Sequence, residues 1–253
     1  MKYTLDTIPV LDAFRQDCQC PLCRLQINCE DGYIDSLLSS AYMEPECRTR
    51  TNQTGFCRRH YTLMYERRNK LGLALMTHTH LQELIRSLEE TLGETGKKRS
   101  KIPFFGTSGS KEESRPARIQ ARIDSCDICD QLEKTMRRYA FTTVRLALDR
   151  EDFRQMFQAH GGACLPHTAL LLDLAEETLS EKERTQFEAL LRESVLGRLR
   201  EIEKNLYSFT QQFDYRNAGI LPTPEAKNSV EHALNRLAGA IVGDEAALPP
   251  HND

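Results

Sequence analysis

Cys20-Pro21-Leu22-Cys23, answered downstream by Cys57-Arg58-Arg59-His60, is the stretch from which the fold of this chain is read. The pair recurs as Cys126-Asp127-Ile128-Cys129 and Cys164-Leu165-Pro166-His167. Residues 24–56 separate the first two half-motifs and residues 130–163 the second two, gaps of 33 and 34 residues. Each C-x2-C…C-x2-H set offers three thiolates and one imidazole, enough to close a tetrahedral site around a zinc-sized ion. The chain therefore reads as a tandem repeat of one metal-stapled module. Cys20, Cys23, Cys57 and His60 are expected to close one site, and Cys126, Cys129, Cys164 and His167 the other. The expected cofactor is Zn2+, two ions per chain. An iron–sulfur cluster is the alternative, though a cluster prefers four thiolates.

The totals bound the rest. A chain of 253 residues, 40% hydrophobic and 28% charged, is a soluble globular composition. The formal net charge of -3 argues neither for nor against a nucleic-acid partner. Nine cysteines cannot all pair as disulfides within one chain. The first residues show no apolar signal region, and no run has the length to cross a bilayer. The reading is a cytoplasmic protein with reduced thiols and no membrane partner.

Periodicity points to an all-α fold. Helical turns are expected at Val10 to Phe14 and from Gly32 to Tyr42, where Ile34, Leu37, Leu38 and Ala41 share a face. Pro21 is expected to hold the first knuckle in a loop. One long helix is expected from Arg58 to Leu92, with Met64, Leu71, Leu75, His78, Leu81, Ile85, Leu88 and Leu92 as its apolar stripe. Residues 94–118, rich in Gly, Ser and Lys, read as a flexible linker between a first module at 1–93 and a second at 119–242. In the second module, helices are expected after Cys129, at Glu151 to Ala159, and beyond Gly161-Gly162. Ser180 and Glu183 form a capping box that opens the longest one, striped by Phe187, Leu191, Val195, Leu199, Ile202, Leu206, Phe209 and Phe213. Thr223-Pro224 opens a last helix, with Val230, Leu234, Leu237 and Ile241 as its apolar face. Residues 243–253 read as a disordered tail.

Other chemistry-bearing residues are weighed against plain structural roles. Cys18, Cys29 and Cys47 either fill apolar space or form an extra thiolate cluster beside the first ion. His78 lies on the apolar stripe and reads as a core residue, whereas His80 lies off it and faces solvent or a partner. His160 is a surface histidine or supports the second knuckle. No P-loop, nucleophile elbow or dinucleotide fingerprint occurs.

With the knuckles in view, the chain resembles an uncharacterised bacterial family, found largely in anaerobic Firmicutes and sometimes labelled a transporter substrate-binding protein. The matching residues include Asp6-Thr7-Ile8-Pro9-Val10, Cys20-Pro21-Leu22-Cys23, Met43-Glu44-Pro45, Thr51-Asn52, Gly55-Phe56-Cys57, Cys164-Leu165-Pro166-His167 and Phe213-Asp214-Tyr215-Arg216-Asn217. The resemblance implies two metal modules on a helical fold and brings no activity or catalytic residues.

The function expected from the sequence is that of a non-catalytic zinc-binding scaffold for a protein partner, with nucleic acid as a weaker choice and an oligomer open. Arg48 to Asn52 and Asp214 to Asn217 are its candidate contact surfaces, or else cap helices. Arg58, Arg59, Arg67 and Arg68 form a basic face or a solvated helix edge. Two alternatives stay open: a metallochaperone or redox sensor using Cys18, Cys29 and Cys47, and an enzyme with a helical cleft around His80 or Tyr215.

Overall fold

The computed structural model describes residues 6–93, 114–214, 216 and 223–248. Among them every regular element is helical and no strand occurs. The helices are α1 (Thr7–Arg15), α2 (Pro21–Ser39), α3 (Pro45–Thr54), α4 (Arg58–Glu66), α5 (Lys70–Gly93), α6 (Arg115–Asp124), α7 (Asp127–Asp149), α8 (Glu151–Ala159), α9 (Leu165–Thr178), α10 (Glu181–Gln211), α11 (Pro224–Lys227), α12 (Ser229–Ala238) and α13 (Asp244–Ala247). A 3-10 turn at Ala41–Met43 joins α2 to α3. None of the described helices is long and apolar enough to cross a membrane.

Two compact units are present, and they do not follow the sequential halves. The first comprises Met1–Cys29 and Glu133–Asp253, the second Glu30–Leu132. The expected division at 94–118 falls largely on residues outside those described; of its last residues, Ser114 caps α6 by accepting from the Ala117 amide, and Arg115 begins that helix. The expected disordered tail is ordered over Gly243 to Leu248. Gly243 adopts a left-handed φ of 64°. α13 follows, with Glu245 buried and its carboxylate accepting from the Gln19 amide. Arg24, itself buried, donates to the Glu245 and Leu248 carbonyls.

The first unit is built on aromatic side chains. Phe14 packs on Phe153 at 4.7 Å and on Phe157 at 6.0 Å, and Phe157 meets Phe187 at 6.3 Å. Around these rings lie Val10, Ala140, Val144, Leu171 and Leu191. The stripe of α10 is buried at Phe187, Leu191, Val195 and Ile202, whereas Phe213 is exposed. The capping box of Ser180 and Glu183 forms. Thr223 caps α11 as expected, but the helix breaks at Asn228 and α12 turns its apolar row outward. Val230, Leu234 and Leu237 are exposed while Ser229, Asn235 and Arg236 are buried. The reason is that this side of α12 faces backbone. Arg236 donates to the His160 and Gly161 carbonyls, and Asn235 exchanges two hydrogen bonds with Val242.

In the second unit the expected continuous helix is two. α4 stops at Glu66 and α5 starts after Asn69, whose side chain accepts from the Gly72 amide and donates to the Leu38 carbonyl. That N-cap satisfies a helix-end amide and re-aims the chain. The expected stripe is therefore wrong for α5. Leu71, Leu81, Ile85 and Leu92 are exposed, and so is His78, which is not a core residue. Gly72, Leu73, Met76 and Thr91 are buried instead. Gly72 lets the Tyr42 ring approach, since a Cβ there would stand 3.1 Å from it. The polar run at 48–55 lies mostly in α3, a helix whose Cys47 and Thr51 are buried.

Candidate metal centres

All four half-motifs have one local structure. Cys57 and Cys164 are the N-cap residues of α4 and α9, with extended backbone. Cys20 and Cys126 stand just before α2 and α7, and their carbonyls accept the first helical hydrogen bonds, from Arg24 and Asp130. The knuckle at Cys20–Cys23 is thus the first helical turn and not a loop. Pro21 occupies the opening helical position, where a missing N–H costs nothing. Spacing of three residues puts the two ligands of each half-motif on one side of that turn, facing the free amides and the positive end of the helix dipole. A thiolate is stabilised there.

The eight predicted ligands form two quartets, but the half-motifs exchange partners. Cys20 and Cys23 meet Cys164 and His167; Cys57 and His60 meet Cys126 and Cys129. Each quartet joins two helix N-termini, α2 with α9 and α4 with α7. The expectation that Cys20–Cys23 closes with Cys57–His60 is corrected: the pairing is nested, outer with outer and inner with inner. Spacing could not reveal this, because the four half-motifs are locally equivalent.

The distances suit one ion per quartet. A tetrahedral ion ~2.3 Å from sulfur and ~2.0 Å from nitrogen sets its ligand atoms about 3.5–3.8 Å apart. In the outer quartet Cys23 and Cys164 Sγ are 3.4 Å apart, and His167 Nδ1 lies 3.7, 3.4 and 3.1 Å from Cys20, Cys23 and Cys164. In the inner quartet His60 Nδ1 lies 3.3, 3.1 and 3.4 Å from Cys57, Cys126 and Cys129, with Cys57 and Cys129 Sγ 3.9 Å apart. Both imidazoles thus present Nδ1.

The electrostatics show what the sulfurs need. In the outer quartet burial disfavours every charge, yet hydrogen bonds from Cys164, Cys23 and His167 hold Cys20 well below the usual thiol range. Cys23 is driven far up by hydrogen bonding to Cys164 and Cys20 and by burial. Against burial, contact with Cys164 and Cys20 lifts His167 to about 10. The inner quartet repeats the pattern. Burial opposes ionisation, but His60 brings Cys126 down to about 7. Burial and Cys126 push Cys129 up. His60 itself rises to about 10 through Cys126 and Glu30, against burial. Three sulfurs this close cannot all ionise unless a cation stands among them.

The surroundings of the two quartets differ. The outer four are all buried. Arg236, 2% exposed, supplies a cation that interacts with Cys20 and Cys164. Gly239, with φ 62°, turns the chain over the site; its added Cβ would stand 3.6 Å from both Cys164 and Cys23 Sγ. His160 does not join the ligands. Its Nδ1 and Nε2 lie 3.1 and 2.9 Å from the Cys18 and Phe14 carbonyls and brace the approach to the knuckle.

In the inner quartet Cys126 and His60 are buried, Cys57 is half-buried and Cys129 is exposed. His60 Nε2 donates to Glu30 at 2.9 Å, which leaves Nδ1 free to ligate an ion. Arg59 grips the same carboxylate at 2.9 and 2.6 Å. Although burial works the other way, these two partners hold Glu30 down at about 2. The C-terminal carbonyls of α3 aim the chain into this site. Asn52 O meets His80 Nδ1 at 2.9 Å, Gln53 O accepts from Arg122, Thr54 O from Ser125, and Gly55 O from the Asp127 amide. His80 is half-buried, and its ring covers Gly55, where a Cβ would fall 2.5 Å from Nε2.

Among the other readings, Arg48 to Asn52 serves this cap. Arg50 pairs with Asp127, and Thr79 donates to Asn52 at 2.5 Å. The expected basic face is partly spent, since Arg59 pairs with Glu30, and Arg67 with Asp31 at 2.5 Å. Tyr215 and Asn217 lie outside the described residues. Cys18, Cys29 and Cys47 join no ligand-spaced group among the described residues. Burial pushes Cys18 up to about 12 and raises Cys29 and Cys47. Glu30, Arg236 and Gly239 carried no sequence signal, because their roles arise only when distant segments meet.

A model of a family of unknown function (DUF6062) matches residues 1–244. No curated protein matches the chain. No solved structure matches it either.

Proposed function

This chain belongs to that family of unknown function, and we propose that it is a non-catalytic helical scaffold with two structural zinc ions, one in each nested quartet. The observation that carries the reading is the convergence of two helix N-termini, each with two ligands, on each site. Three sulfurs and one imidazole suit Zn2+, which has no geometric preference of its own and accepts mixed ligands. Iron–sulfur clusters distribute their thiolates over several irons, whereas all four ligand atoms here lie within 4.8 Å of one another. Four protein ligands leave no position for a reactive water, and this supports a structural role over a catalytic one.

The scaffold's task in this reading is to present helical surface to a protein partner. Leu81, Ile85 and Leu92 on α5, and Val230, Leu234 and Leu237 on α12, are apolar rows exposed to solvent. Pairing of Arg59 and Arg67 with carboxylates disfavours a phosphate-binding face. Metal analysis of protein purified without oxygen tests the core of the proposal. About two zinc per chain, with X-ray absorption showing three sulfurs at ~2.3 Å and one nitrogen at ~2.0 Å, is expected. Iron with acid-labile sulfide would overturn it.

A further inference from the structure

The two quartets share a ligand set and differ in access. Every ligand of the outer quartet is buried, whereas the inner one shows Cys129 to solvent and half-exposes Cys57. Those two sulfurs stand 3.9 Å apart and come from different helices, α7 and α4. The Arg59 guanidinium interacts with both. A bound thiolate that reagents can reach, beside a cation and a second reachable thiolate, has the arrangement of a reactive cysteine with its resolving partner. Cys20, Cys23 and Cys164 are chemically identical but shielded.

Resting on the zinc reading above, we propose that the inner quartet is a hydroperoxide-reactive site, in which oxidation joins Cys129 to Cys57 and expels the inner ion while the outer ion stays bound. The Cys129 thiolate attacks the peroxide oxygen; the O–O bond breaks, hydroxide leaves, and a sulfenic acid forms. The Cys57 thiolate then attacks Cys129 Sγ; the S–O bond breaks and a second hydroxide leaves. Each sulfur has lost one electron, the peroxide has gained two, and two protons from solvent turn the hydroxides into water. With two of its four ligands joined in a disulfide, the inner ion dissociates. A dithiol reductant and zinc restore the site.

The experiment uses the full-length holo-protein. Bound zinc is counted first, hydrogen peroxide is added, release is followed with a chromogenic chelator, and the disulfide is located by peptide mass mapping. One of two zinc ions is expected to leave, with the new bond between Cys57 and Cys129. Cys129→His keeps a fourth ligand and removes the reactive sulfur; release from it should slow by ~10-fold or more. Cys29→Ser, at a half-buried thiol outside both quartets, should leave the rate unchanged. A count below two before oxidant overturns both this proposal and the zinc reading. A count of two followed by no release, by equal loss of both ions, or by a disulfide among Cys20, Cys23 and Cys164 overturns this proposal alone.

Discussion

Single side chains decide how well the inner site is held. Glu30 fixes which nitrogen of His60 is free, so on the zinc reading proposed above Glu30→Gln should weaken zinc binding at the inner quartet by ~10–100-fold, as loss of such a partner does elsewhere. Competition with a chelator, which resolves two affinities, checks this: the outer affinity should not move. Gly55 combines φ 61° with ψ −152°, a region essentially closed to residues with a Cβ, and the His80 ring fills the space beside it. Gly55→Ala is therefore expected to destabilise the protein by ~2 kcal/mol or more in denaturant unfolding. An unchanged midpoint would mean that the turn before Cys57 is not held by this contact. The Cys and His residues that cluster were legible from spacing. Neither Glu30 nor His80 was, because a carboxylate in one helix and an imidazole in another acquire their roles only through packing.

Helix ends, more than helix faces, organise this protein. Reading apolar periodicity and cap signals placed α7, α8, α9 and α10, with the capping box of α10 and the N-cap of α11. It failed on α5 and α12, whose exposed leucines belong to the predicted stripes and whose buried sides carry Gly72, Asn235 and Arg236. On α12 the physical reason is that this side meets backbone carbonyls, where hydrogen bonding outweighs hydrophobic burial; on α5 the break at Asn69 shifts the buried side to Leu73 and Met76 beside Gly72. The break between α4 and α5 rests on Asn69. Asn69→Ala should cost ~1 kcal/mol of stability, since it removes the cap from the Gly72 amide. In the first unit the aromatic cluster predicts a larger effect. Phe157, fully buried among Phe14 and Phe187, should cost ~3–5 kcal/mol as Phe157→Ala.

For the whole molecule, the nested pairing changes what a fragment can do. Residues 1–93 contain Cys20, Cys23, Cys57 and His60, a complete-looking set, yet the structure assigns two of these ligands to each site. Expressed alone, that fragment is expected to bind zinc at least ~100-fold more weakly than the intact chain, because it lacks the opposing helix N-terminus of both quartets. Isothermal titration of fragment and full chain checks it, and equal affinity would favour pairing within halves. The sequence by itself determined the helical class, the eight Cys and His positions that cluster and the helix starts that follow Cys57 and Cys164, since these depend on residues close along the chain: caps, three-residue spacings and apolar periods. Only the tertiary structure decided which knuckle faces which, how exposed each quartet is, and which polar groups brace it. Four equivalent helix starts carry no local mark of their partners, so that choice belongs to packing between segments far apart in sequence.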